Sequence, residues 1–305
     1  MPEQAFIPGG ELSHAFYAEV VRPLLASRRH AAALLGWGSD VLGYDTEHST
    51  DHGWGPRLLV FLDDASEVQE LDDLLAARLP ERFRGWPVRH GWDAVAITHR
   101  VTVTTLPAWL PEHLGVDATD GLTTLDWLLT PQQRLLGLVA GQVYADGSGA
   151  LGEVRRTLGW YPEQVWRWLL ACQWHRLAQE EAFVARAGEV GDRTGAAVTT
   201  ARLVRDMMRL ALLLDRRYAP YQKWLSTAFA RGFQPDDLPR RLADALQADD
   251  PQRRETGLAG AWSALAHRHN AAGLTEPIDP SLRDTTADPL RCLWPIGSPW
   301  PAWPQ

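Results

Sequence analysis

The sequence predicts an α+β protein. A small mixed α/β domain spans residues 1–112, an all-α helical bundle spans 113–275, and an extended tail rich in proline and tryptophan spans 276–305. Three observations carry this. Short apolar runs closed by glycines or acids alternate with amphipathic stretches up to about residue 112, the pattern of strands interleaved with helices. Beyond it, almost every periodic stretch has helical spacing. The last 16 residues, "LRCLWPIGSPWPAWPQ", hold four prolines and three tryptophans, which fits neither helix interior nor central strand.

Residues 11–27, "ELSHAFYAEVVRPLLAS", place apolar residues at helical spacing, with a kink or break at Pro23. "HAAALLGWGS" then runs apolar into Gly-Trp-Gly-Ser, a buried strand ending at a tight loop. "RLLVFLDD" (57–64) is a second strand, closed by two acids. "ASEVQELDDLLAARLP" (65–80) reads as an amphipathic helix stopped by Pro80, and "DAVAITHRVTVTTL" (93–106) as one or two further strands. "GLTTLDWLLTPQQRLLGLVAGQVYAD" opens the helical half. Helices are expected over 162–187, over 199–218 with Thr199-Thr200 at its start, in "LPRRLADALQA" and over 251–273. The tail is expected to dock as a polyproline-like arm, since Trp294, Trp300 and Trp303 would otherwise be exposed.

A net charge of -8 argues against a general nucleic-acid surface. Two cysteines, Cys172 and Cys292, make a disulfide framework unexpected and fit a reducing cytoplasm. No signal peptide is read in "MPEQAFIPGGELSHAFYAEV", and no run approaches the length of a membrane span. Fifteen tryptophans exceed what a core of this size needs. There is one lysine, Lys223, among 30 Lys and Arg residues. Either a GC-rich genome has replaced lysine throughout, or Lys223 sits where a compact ammonium cannot be exchanged for a guanidinium.

The chemistry is densest in "GWGSDVLGYDTEHSTDHGWGPR" (36–57). A Gly-Ser turn lets backbone N–H groups approach a phosphate closely, and the hydroxyl adds a donor. Paired carboxylates gather Mg²⁺, which stabilises the charge of an in-line phosphoryl displacement. Gly38 and Ser39 suit the first role, and Asp51 suits the first carboxylate. Two residues after Asp51, where a second carboxylate would stand, the chain holds Gly53. Asp45, Glu47 and His48 lie in the loop as compensating ligands or as solvated loop caps. A transition-metal site from His48, Asp51 and His52 lacks any strong zinc spacing.

These residues resemble the nucleotidyltransferase superfamily, with a helical bundle after the α/β domain as in its kanamycin nucleotidyltransferase-like branch. More closely, "GSDVLGYDTEHSTDHGWGPR", "YPEQVWRWLLACQW", "RAGEVGDRTG" and "YAPYQKWL" resemble the DUF4037 family of predicted nucleotidyltransferases, over roughly residues 10 to 232. The resemblance implies a nucleotidyltransferase-like domain and an active cleft between the two domains. It implies transfer of a nucleoside monophosphate from a Mg²⁺-bound NTP to a small acceptor, with Asp51 on the metal and a third acid on a later strand, where "VTVTT" (101–105) offers only threonines and Asp93 is a poor substitute; Asp45 and Glu47 are the compensating metal ligands read from the loop. In the antibiotic-modifying branch a helical-domain carboxylate is general base, and Glu180 and Glu181 are candidates. Arg186 and Asp192 in "RAGEVGDRTG" lie in either a substrate-facing loop or a helix connector. Lys223, beside Tyr218, Tyr221 and Trp224, belongs on a phosphate or in interdomain packing. Two other readings stand beside transfer: a catalytically degenerate module binding a nucleotide or small ligand, and a repurposed enzyme of specialised metabolism. In each, the partner is a small molecule rather than nucleic acid or membrane.

Overall fold

Leu12, Phe16, Val21 and Leu25 recur at four- to five-residue spacing, with Tyr17 beside Phe16, and all are buried. Their segment is helical, as that spacing requires. In the computed structural model it runs as α1 (Gly9–Phe16), a π turn (Tyr17–Val21) and α2 (Arg22–Leu25). The break expected at Pro23 takes the form of that widened turn. The structure describes residues 5–51, 53–92, 95–118, 121–234 and 236–277. Contacts divide the chain into two compact units, Met1–Gly159 and Trp160–Gln305.

In the first unit, β1 (His30–Leu34) and β2 (Leu58–Leu62) are the apolar runs, and both are largely buried. Between them lie the 36–57 loop and a 3₁₀ turn, Glu47–Asp51. Of the two acids that close β2, Asp64 caps a 3₁₀ turn (Ala65–Glu67) that leads into α3 (Val68–Arg78). Then come β3 (Arg82–Phe83), β4 (Trp86–Pro87), β5 (Arg89–Trp92), β6 (Val95–His99) and β7 (Val101–Thr104). Three helices follow: α4 (Leu106–Leu114), α5 (Thr124–Leu129) and α6 (Gln132–Val139). The unit closes with β8 (Gln142–Asp146) and α7 (Ala150–Thr157).

The sheet has the order β7-β2-β1-β8, antiparallel except for the parallel β2–β7 pair. β8 is a strand at the end of "GLTTLDWLLTPQQRLLGLVAGQVYAD", the stretch expected to open the helical half. "QVYAD" returns to pair with β1 through Ala31↔Asp146 and Leu34↔Gln142, and by its contacts the first compact unit extends to Gly159. α1 and α3 cover one face of this sheet, their apolar sides forming a core with Val60, Leu62 and Val101.

The second unit is helical among the described residues: α8 (Glu163–Glu180), α9 (Phe183–Glu189), α10 (Arg193–Leu214), α11 (Gln222–Gly232), α12 (Leu238–Gln247) and α13 (Pro251–Ala271). The helix expected over 162–187 breaks at Glu181 and Ala182. α10 starts earlier than its threonine pair suggests. Asp192 caps it, accepting from Gly195 N, whereas Thr200 is buried inside the helix and donates to Ala196 O. Among the described residues no helix is long and apolar enough to cross a membrane. The expected tail arm, with Trp294, Trp300 and Trp303, lies outside the described residues.

Candidate functional site

The 36–57 loop leaves β1 at Leu34 and is stitched to itself at several points. Arg57 enters β2 with its guanidinium turned back across the loop. Its Nε donates to Asp40 Oδ2 at 2.9 Å, and its Nη2 donates to Asp40 Oδ1 at 2.7 Å and to Trp37 O at 2.6 Å. Both side chains are buried, so the pair is a two-pronged, charge-assisted clamp. Gly38 sits inside it at φ +123°; a Cβ there would lie 2.2 Å from Asp40 Oδ1 and 2.5 Å from Arg57 Nη2. Glycine is therefore required at 38 by the approach of the ion pair. Ser39 Oγ donates to Ser49 Oγ at 3.1 Å, and Ser39 O accepts from Tyr44 N.

Asp45 is half-buried and holds a different joint. Its Oδ2 accepts from Gly9 N at 2.6 Å, at the start of α1, and from Trp54 Nε1 at 2.9 Å. A carboxylate at a helix N-terminus is favoured by the helix dipole. Glu47 and Asp51 are exposed at the two ends of the 3₁₀ turn. Gly53 is buried at φ +64°, a left-handed conformation that glycine adopts freely. Thr102 and Thr104 stand on β7, where a third carboxylate would be needed. His52 and Asp93 lie outside the described residues.

The fit to Mg²⁺ follows from this donor set. Asp40 is held by Arg57, Asp45 by α1 and Trp54, and position 53 has no side chain. Among the described residues no three His, Cys, Asp or Glu side chains gather as a metal-holding group. The loop does not offer the converging carboxylates that two-metal chemistry uses.

What the first unit does offer is a cavity of about 630 Å³ over the β1–β2–β7 strands, within the size range of small-molecule sites. Gly36, Trp37 and Gly53 line it, while Gly38, Ser39 and Asp51 are not among its lining residues. Among the described residues its charged and titratable lining is Arg57, Arg100, Arg134, His90, His113 and a single acid, Glu112. Arg57 lies over the Trp37 ring at 4.8 Å, and Trp37 is 54% exposed. Arg100 donates to His90 O at 2.8 Å and to Ala96 O at 3.1 Å. Burial and the Arg57 charge pull its guanidinium below the usual arginine range.

Both cavity histidines are held neutral. Burial, then the Arg100 and Arg57 charges, bring the His90 imidazole down to about 4. Burial is also the main force lowering His113, whose Nε2 lies 2.8 Å from Arg134 O and whose ring stacks on Trp109 at 4.4 Å. Nε2 must carry the proton in that contact, because a carbonyl only accepts. His90 differs: both its ring nitrogens are buried without a hydrogen-bond partner. Sequence reasoning missed Arg57, His90, Arg100, His113 and Arg134, which come from five separate segments. The one available signal was Arg57, a charge inside the apolar run "GPRLLVFL".

The remaining predicted residues lie in the second unit. Glu180 pairs with Arg202. Glu181, at the α8–α9 break, has its carboxyl pushed up to about 7 by burial, a value suited to a general base. Arg186 is exposed on α9, and Asp192 is the α10 cap, so "RAGEVGDRTG" is mostly helix with a short connector. Lys223 is exposed in the first turn of α11 with Nζ 5.0 Å from the Trp224 ring centroid.

No curated protein matches the chain. Among solved structures, a nucleotidyltransferase-like protein from Exiguobacterium sibiricum 255-15 is 14% identical, with 86% of this chain and 77% of that chain covered at a TM-score of 0.39. The DUF4037 family, described as a domain of unknown function, matches residues 127–225. That span includes three of the four stretches that carry the sequence resemblance, "YPEQVWRWLLACQW", "RAGEVGDRTG" and "YAPYQKWL", and over it the chain is similar to DUF4037.

Proposed function

We propose that this chain is a small-ligand-binding protein on a nucleotidyltransferase-like scaffold whose two-metal transfer chemistry has been given up. The observation that carries this is the Arg57–Asp40 clamp. In the loop where a metal-bound triphosphate would need free carboxylates, the buried acid already has its counter-ion, and Gly38 is shaped to that pair. Among the described residues the neighbouring cavity is lined by arginines and neutral histidines with one acid. Such walls suit an anionic ligand and would repel a cation. The ligand is a nucleotide or another small molecule, and the cytoplasm is its proposed setting.

The second reading is transfer of a nucleoside monophosphate from Mg-NTP to a small acceptor. It is favoured by Asp51 and Glu47, exposed on one short turn after the Gly38-Ser39 loop. The experiment is pyrophosphate release, with thermal melting in parallel, for each NTP with and without Mg²⁺. Stabilisation without release is expected. Release at ordinary enzyme rates, on the order of 1 s⁻¹ or faster, would establish the second reading instead. Neither stabilisation nor release would favour a repurposed enzyme acting on a different substrate.

A further inference from the structure

The cavity's chemistry says what kind of ligand it takes, given the binding role proposed above. Among the described residues three guanidiniums line it against one carboxylate. Arg57 uses Nε and Nη2 in the clamp, and Nη1 takes no part in it. Arginine's planar fork matches the oxygen geometry of phosphate and carboxylate groups. His90 adds a second, independent constraint. Buried polar atoms are normally hydrogen-bonded, yet both of its nitrogens lack a partner. The turn after Gly53 runs past it, with a Cβ on Gly55 reaching 3.3 Å from His90 Cε1. A neutral imidazole has one N–H donor and one acceptor nitrogen. An oxyanion alone would satisfy only the donor. A ligand carrying an oxyanion and also a hydroxyl would satisfy both.

We propose that this cavity is a metal-independent site for a small hydroxylated oxyanion. Arg57, Arg100 and Arg134 hold its phosphate or carboxylate group, and His90 bonds both the anion and a neighbouring hydroxyl. The leucines of β1 and β2 and the Trp37 ring supply apolar wall for the carbon skeleton. The site needs no divalent ion because the guanidiniums provide the positive charge that Mg²⁺ provides for a nucleotide.

The test is calorimetric titration of the full chain in EDTA with four probes. Glycerol 3-phosphate and citrate carry the oxyanion and the hydroxyl, and they separate the phosphate source from the carboxylate source. Tricarballylate is citrate without its hydroxyl, and methyl phosphate is a phosphate ester without one. Binding of at least one hydroxylated probe in EDTA is expected, unchanged on adding Mg²⁺, and stronger than that of its hydroxyl-free counterpart. Arg134→Gln, an exposed position whose loss should leave the melting temperature unchanged, should weaken that binding by about tenfold or more. His90→Phe should abolish the preference for the hydroxylated probe. Binding that requires Mg²⁺, equal affinity in Arg134→Gln, or a hydroxyl preference that survives His90→Phe would overturn the proposal. Failure of every probe in EDTA would overturn it too. Pyrophosphate release from an NTP would instead overturn the binding role itself, so the two failures are distinguishable.

Discussion

Asp40 and Asp206 are both buried aspartates held by arginine, and they differ in where the arginines stand. In the first unit Asp40 and Arg57 are buried together, with 3% and 11% of their side chains exposed. In the second, Asp206 is equally buried on α10, but its partners reach in from outside. Arg176 on α8 bonds it at 2.8 Å with 51% of its side chain exposed, and Arg205 at 3.0 Å with 32% exposed. One acid thus depends on a single desolvated partner, and the other shares two solvated ones. The same residue types therefore do different jobs. The first pair fixes the conformation of a loop, while the second ties two helices together and leaves positive charge at the surface.

The largest effect should come from breaking the first pair. Arg57→Ala leaves Asp40 buried without a counter-ion, at a cost of about 3–5 kcal/mol, measurable by urea unfolding. Arg176→Ala should cost below about 1 kcal/mol, because an exposed partner contributes little and Arg205 remains. Equal losses in the two variants would erase the distinction. Next comes Gly38→Ala, where the side chain meets the clamp at a positive φ. A loss of about 1–3 kcal/mol is expected, and it should shrink when Asp40 is also replaced by alanine. A full loss in the double variant would mean that backbone strain alone sets the requirement.

The two units also diverge in pH response. His90 has a folded pKa of about 4 against an ordinary 6.5, so the unfolded chain binds its proton more readily. The contribution is full above about 6.5 and is lost as pH falls toward 4. Glu181 works in the opposite sense: its folded carboxyl is raised from 4.5 to about 7. Its contribution is full below 4.5 and is lost as pH rises through 7. Glu181→Gln should therefore stabilise the chain above neutral pH, and His90→Phe should flatten the acid limb. Melting temperatures across pH, variant against parent, read both. The smallest expected change is at Asp192, where replacing the α10 cap with alanine should cost about 1 kcal/mol and leave ligand binding untouched.

Much of the fold was legible because its elements are local. β1, β2 and α3 follow from apolar runs closed by Gly36, by Asp63-Asp64 and by Pro80. β8 was hidden because five residues of "QVYAD" carry no alternation strong enough to stand against the helical stretch before them, and only pairing with β1 makes them a strand. The Gly-Ser loop was located, but its chemistry was not. A carboxylate in a sequence is a free ligand until its partner is known. Asp40 meets Arg57 17 residues on, and Asp45 meets Gly9 36 residues back. No periodicity announces either contact. The cavity is less legible still, because its arginines and histidines come together only when β2, β5, β7, α4 and α6 are in place.

The central claim is that the first unit holds its ligand with arginine and histidine rather than through a divalent metal. Water-proton relaxation of Mn²⁺–ATP, with and without the full chain, tests it most directly, since a protein-bound manganese–nucleotide complex tumbles slowly and relaxes water faster. The account predicts the same relaxation rate with the parent chain and with Asp51→Asn. An enhancement that grows with protein concentration and disappears in Asp51→Asn would contradict it.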